Sequence, residues 1–156
     1  MTTILEDTFI CQEVDMVYKD PRNPALGKVR EKKFDRVSRL VAESLQQRMR
    51  LTLDVHSQLF PVRAGDRFLL VLMSSVRLDG APCDGTYDQS GAPTVINRYD
   101  YVMCGKVFHQ ESEGAHQSAV CISFGGLLMR LQGSRNVIDL ADLRLDNRVY
   151  LLLRRV

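Results

Sequence analysis

A chain of 156 residues with 45% apolar and 26% charged side chains has the make-up of one globular domain, which excludes a disordered or fibrous protein. Its formal net charge of +2 is too small for bulk electrostatics to hold nucleic acid or a membrane surface, so any such function must come from local clustering. At this length folding removes about two thirds of the unfolded chain's surface, enough to build a real core.

The N-terminal stretch MTTILEDTFICQEVD brings in Glu6 and Asp7 before a signal-peptide core can form. No apolar run approaches the roughly 18 residues of a membrane helix, so a soluble, intracellular chain without membrane contact is expected. YKDPRNPALGKVREKK, from Tyr18 to Lys33, carries two prolines, a glycine and many charges and reads as a solvated loop. The span from about 16 to 31 is therefore expected to be flexible, inside a single domain covering residues 1–156.

In FDRVSRLVAES the apolar Phe34, Val37, Leu40 and Val41 fall at helical spacing, and periodicity alone predicts a helix. MRLTLDVH is different. Met49, Leu51, Leu53 and Val55 alternate with Arg50, Thr52, Asp54 and His56, the pattern of a strand with one buried and one wet face. PVRAGD then supplies a turn. RFLLVLMSS, apolar from Phe68 to Met73, predicts a strand buried on both faces or closing a barrel.

LDGAPCDGTYDQSGAP lacks periodicity and exceeds an ordinary loop, so residues 78–97 are expected to be mobile or to order on a partner. Strand character resumes in YDYVMCGKVFH and continues through SAVCISF, GLLMRLQG and RVYLLLRR. About eight strands with short polar links and no convincing crossover helix predict an antiparallel all-β barrel.

Catalytic and metal signatures are weak. Cys11, Cys83, Cys104 and Cys121 are scattered without CxxC or Cys-His spacing, as are His56, His109 and His116. Inert thiols and ordinary strand or loop histidines are the simpler reading. Ser38, Ser74 and Ser123 stand outside any GxSxG elbow, so a hydrolase with a dispersed site has no motif behind it. No catalytic residue, metal, cofactor or small-molecule substrate is expected.

The stretch SFGGLLMRLQG pairs Gly125 with Gly126. A phosphate loop would need a helix to follow and usually a Lys-Ser/Thr pair. Here LLMRLQG has no capping residue, and Gly133 stops any helix short. A strand bulge or barrel corner suits these glycines better. A basic cluster from Lys28 to Arg39, including Lys32, Lys33, Arg36 and Arg39, suits a phosphate backbone. Only Phe34 and Tyr18 offer stacking platforms nearby, and a solvated face or a dock for an acidic partner fits the cluster better.

Several stretches, in order and over most of the chain, resemble one family: the eighth, small common subunit of eukaryotic nuclear RNA polymerases I, II and III. They are KKFDRVSRL, LTLDV with LFPV, GDRFLLVLMSS, YDYVMCGKVF, SFGGLLMRLQG and RVYLLLRR. The loop from Met16 to Arg30 looks longer than the family's, and Cys104 and Phe108 stand where members often carry tyrosine.

The resemblance implies an OB-like antiparallel barrel of two pseudo-symmetric halves, docked on the largest subunits of the three polymerases and located in the nucleus. It implies a transcription role in assembly, with no catalysis of its own. It also turns FDRVSRLVAES into a strand and makes Gly125 and Gly126 a kink in the barrel wall, with Leu127, Leu128, Leu131 and Arg130 divided between core and subunit interface. Weak single-stranded DNA binding through Lys32, Lys33, Arg36 and Arg39 is implied by analogy, a free-standing OB-type single-strand binder being the alternative.

Overall fold

The computed structural model describes residues 3–30, 36–74, 98–112, 114–140 and 143–156. Eight strands close an antiparallel barrel: β1 (Thr3–Val14), β4 (Val37–Ser44), β5 (Arg50–His56), β6 (Arg67–Met73), β7 (Tyr101–Ser112), β8 (Gln117–Phe124), β9 (Leu127–Ser134) and β10 (Arg148–Arg155). Around the barrel they run β1-β4-β5-β9-β8-β7-β10-β6, so every barrel strand has two neighbours and no edge is left open. A short hairpin, β2 (Met16–Tyr18) with β3 (Lys28–Arg30), stands apart as a two-stranded sheet. The expected all-β barrel is the observed architecture.

Alternation builds the interior. Leu51, Leu53 and Val55 of β5 face inward and are buried, as are Phe68, Leu70 and Leu72 of β6 and Val120, Ile122 and Phe124 of β8. Phe9 stacks on Phe68 with centroids 6.0 Å apart, and Phe60 meets Phe68 edge-on at 6.1 Å. The reading of RFLLVLM as doubly buried holds: Val71 and Met73 join Leu152 in a second apolar cluster on the opposite face of the strand.

The helix expected from periodicity in FDRVSRLVAES is a strand, as the family resemblance implied. Along β4 the inward positions are Ser38, Leu40, Ala42 and Ser44, two of them serines. Polar inward residues hid the period of two, and chance apolar spacing at Val37, Leu40 and Val41 imitated a helix. The serines are tolerated because each has a partner. Ser38 Oγ donates to Asp15, and Ser44 Oγ accepts the Met49 N–H at 2.7 Å.

Several elements had no counterpart in the sequence reading, two of them in the barrel's main body. One is β1, which the N-terminal segment forms. The other is α1 (Arg135–Leu140), whose Ile138 joins the core. Within the segment read as a loop, β2 and β3 pair from Met16↔Arg30 to Tyr18↔Lys28, and Lys28 reaches back to Glu13 at 2.9 Å. The long span 78–97 lies outside the described residues. Among those described, no helix is long and apolar enough to cross a membrane.

Cys11 lies in the core, and burial pushes its thiol up to about 11, with Asp66 adding to the shift. An inert thiol follows. With iodoacetamide at pH 8, peptide mapping should show exposed Cys104 modified while Cys11 stays protected until unfolding. The raised pKa also fixes a pH dependence. The unfolded chain gives up this proton near its ordinary 9.0, the folded chain only near 11, so Cys11's contribution is whole below pH 9 and lost between 9 and 11. Replacing Cys11 by Ala should flatten that alkaline loss in denaturant melts, and an equally steep loss would contradict the assignment.

Candidate functional site

Gly125 and Gly126 sit between β8 and β9, not within one strand. The kink expected in the barrel wall is corrected to a two-residue hairpin turn, with Phe124 opposite Leu127. Both glycines have positive φ, 65° and 100°, as the tight turns that match strand twist require and as L side chains resist. Ser123 Oγ accepts the Gly126 N–H at 3.3 Å. The turn therefore sends Leu128 to the barrel's outer face, 41% exposed, while Met129 and Leu131 go inward and are buried.

Leu128 is held by a contact that the sequence does not announce. Its N–H donates to Asp54 Oδ2 at 3.0 Å, across 74 positions of chain. The same carboxylate accepts both Nε and Nη2 of Arg39, at 2.7 and 3.1 Å. Arg39's own N–H donates to Asp15 Oδ1 at 3.0 Å. One polar network thus ties β4, β5 and β9 together behind the hairpin and joins them to Asp15, just past the end of β1. Asp54, read as a residue of the wet face, is 6% exposed because three donors cover it.

This arrangement changes the reading of the basic cluster. Lys32 and Lys33 lie outside the described residues. Arg36 is exposed just ahead of β4. Arg39 is committed to Asp54, whose hydrogen bonds hold the guanidinium's pKa further above its already high value. Its charge is paired within the fold, while much of the side chain stays exposed. Further along the face, Arg130 donates to Glu111 and Gln132, each at 3.0 Å, and Glu111 also contacts His109 Nε2 at 3.0 Å. Arg130 first and then His109 pull Glu111 below the usual carboxylate range.

Asp54→Asn tests the network. It keeps the shape and loses the charge, and should cost about 2 kcal/mol, the scale of hydrogen bonds to an ionised group. Urea melts monitor it, and an unchanged midpoint would mean the network contributes nothing.

Among the described residues no group of three or more His, Cys, Asp or Glu is placed to hold a metal ion. Across the outer face Leu128 stands beside Asp54, which Arg39 pairs, and beyond Ser123 lies Lys106, 3.5 Å from Asp146, while Arg130, two residues along β9, pairs with Glu111. Such a surface suits binding a protein rather than converting a substrate.

Comparison with known families gives a match to RNA polymerase Rpb8 over residues 26–155. This chain belongs to the RNA polymerase Rpb8 family. The Dictyostelium discoideum relative, DNA-directed RNA polymerases I, II, and III subunit rpabc3, is 40% identical over 158 aligned positions, covering 99% of each chain. A Saccharomyces cerevisiae relative named as the same subunit is 35% identical, covering 98% of each. One from Caenorhabditis briggsae, named as a probable subunit of that kind, is 41% identical over 80% of this chain and 85% of its own. The Rpb8 match takes in the hairpin, Asp54 and Arg39, whereas β2 precedes it.

Proposed function

We propose that this Rpb8-family chain is a non-catalytic subunit common to nuclear RNA polymerases I, II and III, and that it docks on their largest subunits and supports assembly. The observation that carries the reading is end-to-end similarity to a relative bearing that name, at 40% identity and 99% coverage of both chains. The nucleus is the compartment that follows.

The β8–β9 hairpin is the contact this reading favours. The two-residue turn joins β8 and β9 directly, and Asp54 ties the strand behind it to β5, so Leu128 is held by the sheet with little freedom left to lose on binding. An exposed apolar anchor with paired charges beside it resembles the make-up of a binding hot spot. Gly125, Gly126, Leu127 and Arg130 support Leu128 in this reading rather than react.

Leu128→Glu is the test. The residue is exposed, so the fold should survive with a stability change within about 0.5 kcal/mol. Co-purification of the largest subunits with the tagged variant should fall at least tenfold. Undiminished recovery from a folded variant would remove the hairpin from the interface.

A further inference from the structure

The outer face of β8 carries a shallow trough beside the hairpin. Ile122 and Phe124 point inward and are buried, so Cys121 and Ser123, at the alternate positions, face out. Both are small. Their ladder partners are His109 and Lys106 on β7, and Arg130 and Leu128 on β9. β7 and β9 flank β8 and so lie about 10 Å apart, twice the ordinary strand spacing. On β7 the register shifts between Val107 and His109, where Val107 is fully buried and Phe108 stands half exposed at the bulge. Leu128 stands on the β9 side, also partly exposed. Two bulky apolar side chains thus flank a strip one strand wide, floored by a thiol and a hydroxyl.

The ionic groups beside this strip are engaged with one another. Glu111 contacts Arg130 and His109, each at 3.0 Å, Asp54 takes Arg39 at 2.7 Å, and Asp146 lies 3.5 Å from Lys106. A charged side chain arriving from outside would give up its water and then compete with these pairs for a counter-ion. The floor adds no charge, because burial first and Glu111 second raise the Cys121 thiol above its ordinary range. An uncharged apolar side chain meets neither cost, and it gains by leaving water against Phe108 and Leu128.

We propose that a neighbouring polymerase subunit seats an uncharged, apolar side chain in this trough, between Phe108 and Leu128 and over Cys121, an inference that rests on docking through the hairpin and adds the chemistry of what docks. Phe108 and Cys121 then belong to the same contact as Leu128.

Co-purification of the largest subunits with the tagged full chain tests this. Phe108→Ser removes one flank at an exposed position, so its circular dichroism melt should match the parent's while recovery falls at least tenfold. Phe108→Tyr keeps the ring and should keep parental recovery. Cys121→Leu fills the floor from the outer face and should also lose at least tenfold, whereas Cys121→Ser should lose no more than twofold. Parental recovery should hold within twofold between about 0.1 and about 1 M salt, a range over which the screening length shrinks roughly threefold. Parental recovery in folded Phe108→Ser or Cys121→Leu, with Leu128→Glu deficient, would overturn the trough and leave hairpin docking standing. A tenfold loss by the parent on raising salt would mark a charged occupant and overturn the apolar one. Absence of the largest subunits from the parental sample would remove docking itself, and the trough with it.

Discussion

Leu53→Asp should leave no cooperative unfolding transition. Leu53 is fully buried at the middle of β5, paired with Leu40 on one side and Met129 on the other, both themselves buried. Losing the leucine forfeits about 1.5–3 kcal/mol of apolar burial. A carboxylate in its place adds several kcal/mol of desolvation, since its paired neighbours Leu40 and Met129 offer neither a cation nor a side-chain donor. The sum approaches or exceeds the 5–15 kcal/mol that holds a typical domain together. Leu53→Ala supplies the control. It leaves a cavity, costs about 2–5 kcal/mol and should still melt cooperatively at a lower temperature. Circular dichroism melts read both, and an Asp variant that melts like the parent would place Leu53 on the wrong face.

Gly105→Ala should destabilise by about 3 kcal/mol, the top of the range for overpacking. On β7, Gly105 pairs with Val149 of β10 and lies against the end of β8. A Cβ there would strike the Ser123 carbonyl and stand 2.5 Å from Phe124 Cδ1. The carbonyl belongs to the sheet backbone and cannot swing away. The ring can be shortened, so adding Phe124→Leu should recover part of the loss, a coupling that a double-mutant cycle in urea would read. Gly133 makes the contrast: a Cβ there meets a side-chain atom, Met49 Cγ at 2.8 Å, rather than backbone, so Gly133→Ala should cost less. Equal losses at the two glycines would show that backbone crowding at Gly105 is not the cause.

The strands that could be read were those whose alternation is apolar on one side. Leu51, Leu53 and Val55 announce β5, and the continuous apolar run of β6 announces burial on both faces. What stayed hidden involves polar groups buried with distant partners. In β1 the inward row Leu5, Asp7, Phe9, Cys11 is broken by an acid. Asp7 is buried because its carboxylate accepts the Thr8 and Gln47 N–H groups, the second 40 positions away. Ser38 and Ser44 disguise β4 in the same way. α1 is six residues long, too short for helical periodicity to register.

The candidate site was legible in its residues but not in its wiring. SFGGLLMRLQG marks the hairpin, and its glycines are there for the turn they make. Asp54 looked like one more solvated acid, because its bond to Leu128 exists only once β5 and β9 are neighbours. Arg39 looked like part of a basic track for the same reason. Clustering along the chain says nothing of a carboxylate brought in from the next strand.

The central claim is that this barrel works as a shared part of three large transcription enzymes. Tagged wild-type chain, purified from nuclear extract and washed at high salt, should bring down the largest subunits of RNA polymerases I, II and III in amounts comparable to its own. Recovery of the chain alone would contradict the account.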